Sequence, residues 1–205
     1  MLVHKSVIEF LDETASSNPV PGGGSIAAHS GATAAALVEM VASLTIGKKK
    51  YIEVEEDMKH LREKAIGLRK ELLEDVDRDS HAFDRVMAAF KLSKETDEEK
   101  AIRRNAIQQA MKQAATVPLE VARKSLQVMH LSKVVVEKGN CNTITDGAVS
   151  AMMGRTAVLS ALYNVRINLG SIKDEELVKT FNQEVELLEK EARALEKNIL
   201  NSVEL

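Results

Sequence analysis

Residues 54–90 read VEEDMKHLREKAIGLRKELLEDVDRDSHAFDRVMAAF, and how this stretch folds decides the fold of the chain. Its apolar positions run Val54, Met58, Leu61, Ala65, Leu68, Leu72, Val76, Phe83, Val86 and Phe90. Steps of three and four alternate almost throughout, which is the period of one helical face. After Gly67 no glycine or proline interrupts it. A continuous helix of this length spans about 55 Å at a rise of ~1.5 Å per residue. That is a bundle helix or a seam between subunits. One residue breaks the stripe. Counting by fours and threes from Leu72 through Val76 lands on Asp79, where Leu or Val is expected, before Phe83 resumes the pattern. A carboxylate on such a face is costly unless it has a partner or a task, and desolvation would raise its pKa toward that of a useful general base. Asp75 and Asp77 lie off the stripe and are expected in water.

Helical periodicity extends to the rest of the chain. Residues 3–15 form a short amphipathic helix with Val7, Ile8 and Leu11 on one side. Pro19 and Pro21 end it, and the next helix begins near Ser25. Ala27, Gly31 and Ala35, spaced by four, predict an unusually close neighbouring backbone. Thr96 and Glu99 have capping-box spacing and open another helix. Pro118 falls inside that helix and predicts a kink or break near Thr116. Gly139 and Asn140 signal a stop, a helix covers 145–169, and a heptad from Leu177 to Ile199 marks the last one. No useful β-alternation appears. The expectation is an all-α single domain of about six helices over 1–205, one or two of them very long, dimerising through helices.

Composition agrees. Aromatic residues are 3% of 205, with no Trp, so the 44% that is hydrophobic is mainly aliphatic and suited to helix packing. The single cysteine, Cys141, excludes an internal disulfide and suggests a reducing, cytoplasmic setting. No apolar segment of signal-peptide type opens the sequence, and residues 26–46, with His29 and Glu39, read as a buried helix, not a membrane span. A net charge of −3 gives no support for a nucleic-acid partner. The sequence holds no metal-ligand spacing, Walker loop, dinucleotide fingerprint or nucleophile elbow, so no metal and no cofactor is expected.

The remaining polar features each allow a structural reading. Gly22, Gly23 and Gly24 before a helix either make a tight turn that permits close packing or offer N–H groups to a ligand. Lys48, Lys49 and Lys50 follow a helix end, where cations complement the dipole, and could also hold an anionic tail. Asn140, Asn142 and Asp146 crowd one loop and serve at least partly as caps. Asn164 and Asn168 stand one turn apart in an apolar helix, as a buried polar pair does.

In order along the chain, NPVPGGGSIAAHSGA (18–32), LTIGKKKY (44–51), DRDSHAF (77–83), KETDEEKAIRR (94–104), VPLEVA (117–122), EKGNCNTITD (137–146) and NVRINL (164–169) resemble the cyclodeaminase/cyclohydrolase family of folate enzymes. That family includes the C-terminal domain of formiminotransferase-cyclodeaminase and free-standing bacterial methenyltetrahydrofolate cyclohydrolases. The resemblance runs from about Val7 to Leu177. It implies an all-α homodimer that binds folate in a cleft. It also implies that the second aspartate of Asp77-Arg78-Asp79, before Ala82-Phe83, is catalytic. His81 departs from the residue often found there.

On this resemblance the expected reaction is hydrolysis of 5,10-methenyltetrahydrofolate to 10-formyltetrahydrofolate, with Asp79 as general base. Gly22, Gly23, Gly24 and Ser25 would bind the pterin or one-carbon unit, and Asn140, Asn142 and Asp146 would complete a polar wall. Lys48, Lys49 and Lys50 would meet the glutamate tail of a folate, polyglutamylated or not. Two alternatives stay open: cyclodeamination of 5-formiminotetrahydrofolate with release of ammonia, and a non-catalytic helical interaction module. The stretches LTIGKKKY and TDEEK look closest to the free-standing cyclohydrolases.

Overall fold

The computed structural model describes residues 1–203. Six α-helices carry the fold: α1 (Val7–Thr14), α2 (Gly23–Thr45), α3 (Glu55–Phe90), α4 (Asp97–Lys138), α5 (Ile144–Leu169) and α6 (Glu175–Asn201). No strand occurs among the described residues. The chain is all-α, as the periodicity predicts.

α2 is the central element, with α3, α4 and α5 packed around it. Ala27, Ala28, Ala34, Ala35, Val38, Val41 and Ala42 are fully buried. The small-residue stripe does what its spacing predicts. A Cβ at Gly31 would stand 2.6 Å from Ser125 Oγ of α4 and 3.3 Å from the Leu72 methyls of α3, so only glycine lets three helices meet there. By length and composition α2 could cross a membrane, and its burial between other helices accounts for that apolar character.

α3 has 36 residues and α4 has 42, the latter about 63 Å long at ~1.5 Å per residue. α4 opens on the predicted capping box, with the Glu99 N–H donating to Thr96 Oγ1 at 3.2 Å and the Thr96 N–H donating to Glu99 Oε2 at 3.0 Å. The break predicted near Thr116 does not occur, and α4 runs on through Pro118. Pro118 leaves the carbonyl of Ala114 without its helical donor. Asn168 of α5 replaces it, donating Nδ2 to Ala114 O at 2.7 Å. A donor from another helix removes the penalty that local rules assign.

Two more local readings are corrected. On α1 the apolar trio points outward: Val7, Ile8 and Leu11 are 74%, 73% and 57% exposed. Phe10 turns inward instead and stacks on His29 of α2, with ring centroids 5.3 Å apart. Asp75 and Asp77 are not in water either, at 0% and 7% exposure. Asp75 sits between Arg78 Nη1 at 2.5 Å and Lys124 Nζ of α4 at 2.8 Å. Asp77 Oδ1 accepts the Leu2 N–H and pins the N-terminal segment to α3. Burial of these carboxylates depends on partners from other elements, which helical phase does not reveal.

The C-terminal part of α3 and the N-terminal part of α4 form a two-helix arm with its own small core of Ala82, Val86, Ala89, Ala110, Ala114 and Val117. Lys112 of the arm pairs with Asp174 at 2.6 Å, and Gln108 donates to Ser171 O at 3.0 Å. The arm is thereby fixed against the α5–α6 connection, beside the start of α2.

Removing one partner of a buried ion pair strands the other. Lys124→Met is expected to cost about 3 kcal/mol, read from the urea midpoint, and the double replacement Asp75→Leu/Lys124→Met to recover most of it. Parental stability in the single variant would mean that Arg78 alone satisfies Asp75.

Candidate functional site

The first turn of α2, the arm and the C-terminal turns of α5 enclose a cleft of about 330 Å³. Asp79 and Phe83 face it from α3, Met111 and Ala114 from α4, and Asn164, Ile167 and Asn168 from α5. Gly22, Gly23 and Gly24 complete the lining, so the off-pattern aspartate and the glycine run share one cavity. A larger groove of about 660 Å³ lies elsewhere on the arm, lined mainly by alanine and glutamine with Arg85 and Lys112, and contains no carboxylate.

The glycines are there for space. Gly22 is extended (φ −111, ψ −164), and Gly47 alone has positive φ among the described residues. A Cβ at Gly24 would stand 2.0 Å from Asp79 Oδ1, and one at Gly23 would stand 3.3 Å from Asn164 Nδ2. As N-cap residue, Gly22 offers α2 no side chain. Asp79 takes that position from the neighbouring helix: its carboxylate accepts from the Ser25 hydroxyl at 2.9 Å and is also favoured by the Ser25 backbone N–H. A helix N-terminus with unsatisfied donors favours an anion.

Two opposing effects set the basicity of Asp79. Burial is the larger and raises its pKa above the ordinary aspartate value, while the hydroxyl and N–H of Ser25 pull it down. The outcome is a raised pKa on a half-buried carboxylate that opens to a cleft.

Ser25 has a different place from the one predicted. It is fully buried, with its hydroxyl 3.0 Å from Val76 O, 2.9 Å from Asp79 Oδ2 and 3.2 Å from Ser80 Oγ. It orients Asp79 and has no free face for a ligand. The other predicted binding residues lie at the far end of α2, about 34 Å away for 23 residues at ~1.5 Å each. Lys48, Lys49 and Lys50 are exposed there. Asn140 ties the α4–α5 loop to α2: its backbone N–H donates to Thr45 Oγ1 at 2.9 Å and its Nδ2 to Leu44 O at 3.0 Å. Asn140 is also the cap of the turn that follows, its Oδ1 accepting the Asn142 backbone N–H at 3.1 Å, and Asp146 occupies the first turn of α5. Within one chain this group is a second polar cluster and not a wall around Asp79. Lys50 Nζ there stands 3.5 Å from the exposed Cys141 Sγ.

Asn164 and Asn168 are the site residues that motif spacing alone did not assign. Their i, i+4 placement in an apolar helix announced burial, but only the fold says which cavity they border. No group of three His, Cys, Asp or Glu side chains converges as a metal site among the described residues.

The formiminotransferase-cyclodeaminase family pattern matches residues 6–187. The chain belongs to this family. It is 46% identical over 203 residues to the methenyltetrahydrofolate cyclohydrolase of Methylorubrum extorquens, covering 99% of this chain and 98% of that protein. It is 32% identical to the formimidoyltransferase-cyclodeaminase of Rattus norvegicus, where the match covers 99% of this chain and 38% of the much longer relative. The crystal structure of formiminotetrahydrofolate cyclodeaminase from Thermotoga maritima superimposes with a TM-score of 0.89 at 32% identity, over 99% of this chain and 98% of that one. A protein named a cyclohydrolase and one named a cyclodeaminase thus both resemble this chain over nearly its full length.

The contact across Gly24 is directly testable. Gly24→Ala is expected to displace the Asp79 carboxylate and lower kcat about a hundredfold, since misplacements near 1 Å carry that cost. Circular dichroism should remain that of the parent. Parental turnover in this variant would remove the close contact from any functional role.

Proposed function

We propose that the chain hydrolyses 5,10-methenyltetrahydrofolate to 10-formyltetrahydrofolate with Asp79 as general base. The observation that carries this reading is a half-buried carboxylate of raised pKa in a cleft whose lining holds no cationic side chain. Such a carboxylate attracts the electron-poor amidinium carbon by charge and takes a proton from the attacking water. The adduct carries its new hydroxyl on the former methenyl carbon. It opens by breaking the bond from that carbon to N5, the hydroxyl proton leaving as N5 gains one, and the proton first taken by Asp79 is released to solvent. The step calls for no metal or redox cofactor. Full-length likeness to the Methylorubrum cyclohydrolase supports this reaction over its neighbours.

The second reading is cyclodeamination, in which N10 of 5-formiminotetrahydrofolate attacks the formimino carbon and ammonia leaves. The structural likeness to the Thermotoga cyclodeaminase favours it, and the same carboxylate could serve. Purified protein given each substrate, with methenyl absorbance followed in one case and ammonia in the other, separates the two. A helical module without chemistry would bind and convert neither.

Asp79→Asn keeps size and helix compatibility and is expected to lower kcat by about three orders of magnitude, the scale of a lost general base. Activity of the parent should rise with pH through a value above the ordinary aspartate pKa. The stability effect has the opposite sign. A raised folded-state pKa means that the ionised Asp79 disfavours folding at neutral pH, a cost absent once the group is protonated. Asp79→Asn should therefore melt at or above the parental temperature at pH 7, with the gain vanishing in acid. A variant that is both active and destabilised at pH 7 would exclude this role.

A homodimer in the cytoplasm is the proposed working form. α2 exposes Met40 and Leu44 in the single chain, and α5 exposes Val149, Met152, Tyr163 and Ile167. A second copy laid antiparallel across these residues would bring the lysines of one subunit toward the cleft of the other, where a glutamate tail would end. Light scattering is expected to give twice the monomer mass, and Val149→Glu/Met152→Glu to give the monomer. An unchanged mass in that double variant would place the interface elsewhere.

A further inference from the structure

We infer that Asn168 recognises a ring N–H of the bound pteridine through its side-chain carbonyl, and that Pro118, on another helix, locks the amide in the orientation this requires. The inference rests on the folate reading above. It starts from the carbonyl of Ala114, which Pro118 deprives of its helical donor. Asn168 Nδ2 donates to that carbonyl at 2.7 Å and to Asn164 O at 2.9 Å. A carboxamide is nearly symmetric in shape and ordinarily chooses its orientation from its hydrogen bonds. Here both bonds demand the nitrogen. Turning the amide over would aim Oδ1 at two carbonyl oxygens and forfeit both bonds. Its nitrogen is committed to the protein, and the oxygen is what Asn168 has left for the cleft it lines.

Asn164 repeats the arrangement one turn earlier. Its Nδ2 donates to Ser160 O at 2.9 Å, and its Oδ1 likewise remains. With the Asp79 carboxylate, the amide oxygens of Asn164 and Asn168 offer a ligand acceptors beside the one N–H that Asn164 Nδ2 has left, and no Lys, Arg or His is among the described lining residues. This set selects a ligand with an edge rich in N–H donors next to a cationic carbon. It penalises one that offers acceptors at the same place, because buried acceptors facing each other go unsatisfied. A tetrahydropteridine bearing an amidinium has those donors, in its 2-amino group and ring N–H groups.

Two variants test the inference on the full chain with 5,10-methenyltetrahydrofolate as probe. Asn168→Leu removes the acceptor and is expected to raise KM by about ten- to a hundredfold, the effect of stranding a ligand donor, with a smaller change in kcat. Pro118→Ala leaves Asn168 in place but returns an N–H to Ala114 O, which weakens one of the two bonds that fix the amide's orientation and leaves the one to Asn164 O. KM should rise severalfold while the melting temperature stays level or increases, a combination that a purely structural proline would not produce. Parental KM in Pro118→Ala, or an Asn168→Leu effect confined to kcat or stability, overturns the inference. Should Asn168→Leu fail to fold, Pro118→Ala decides alone. Inactivity of the parent toward both folates is a different failure, that of the functional reading itself.

Discussion

The Asp79 carboxylate stands where the first turn of α2 would otherwise carry its own cap, and the rest of the site follows from that contact. α2 starts on three glycines and brings no capping side chain, so its leading N–H groups need an acceptor from elsewhere. α3 supplies one, and Gly24 is what allows the two helices to come close enough. The contact also strains in two directions. Burial disfavours the anion, while Ser25 and the helix terminus favour it. A fully satisfied carboxylate would be a poor base, and one with no partner would stay protonated at neutral pH. The half-buried arrangement falls between them.

Three aspartates on one stretch of α3 divide the labour. Asp75 is matched by Arg78 and Lys124 and joins α3 to α4. Asp77 holds the N-terminal segment through Leu2. Asp79 alone faces the cleft. Alternate residues of a helix are about 200° apart at ~3.6 residues per turn, which turns Asp77 away from Asp75 and Asp79, while those two, one turn apart, meet α4 and α2 respectively. The helix that carries Asp79 is thereby held from two other directions, which helps keep the carboxylate in place.

What the sequence revealed is what repeats along a helix. The 54–90 stripe predicted α3 nearly to the residue, and its one violation was Asp79. Periodicity says how often a side chain turns toward the core but not what it meets there. Asp75 and Asp77 therefore looked solvated, Val7, Ile8 and Leu11 looked buried, and Pro118 looked like a break. In each case a residue distant in sequence reversed the local expectation: Lys124, Phe10 stacking on His29, and Asn168. The same limit separated the predicted binding residues. Gly24 and Lys48 belong to one short stretch of sequence, yet α2 separates them by its full length.

The carboxylate and amide oxygens of the cleft bear on turnover as well as on binding. On the proposed reaction the substrate enters as an amidinium cation and leaves as a neutral formamide, so the charge that Asp79 attracts is gone once the carbon–N5 bond has opened. The carboxylate holds the product less firmly than the substrate, while the N–H donors of the ring edge remain and keep their bonds to Asn164 and Asn168. Uniform contacts of that kind set affinity without changing the barrier, whereas the contact to the charged carbon changes along the reaction. On the proposed reading recognition falls to α5 and chemistry to α3, and the proline in α4 links them by helping to fix which atom of Asn168 the ligand meets.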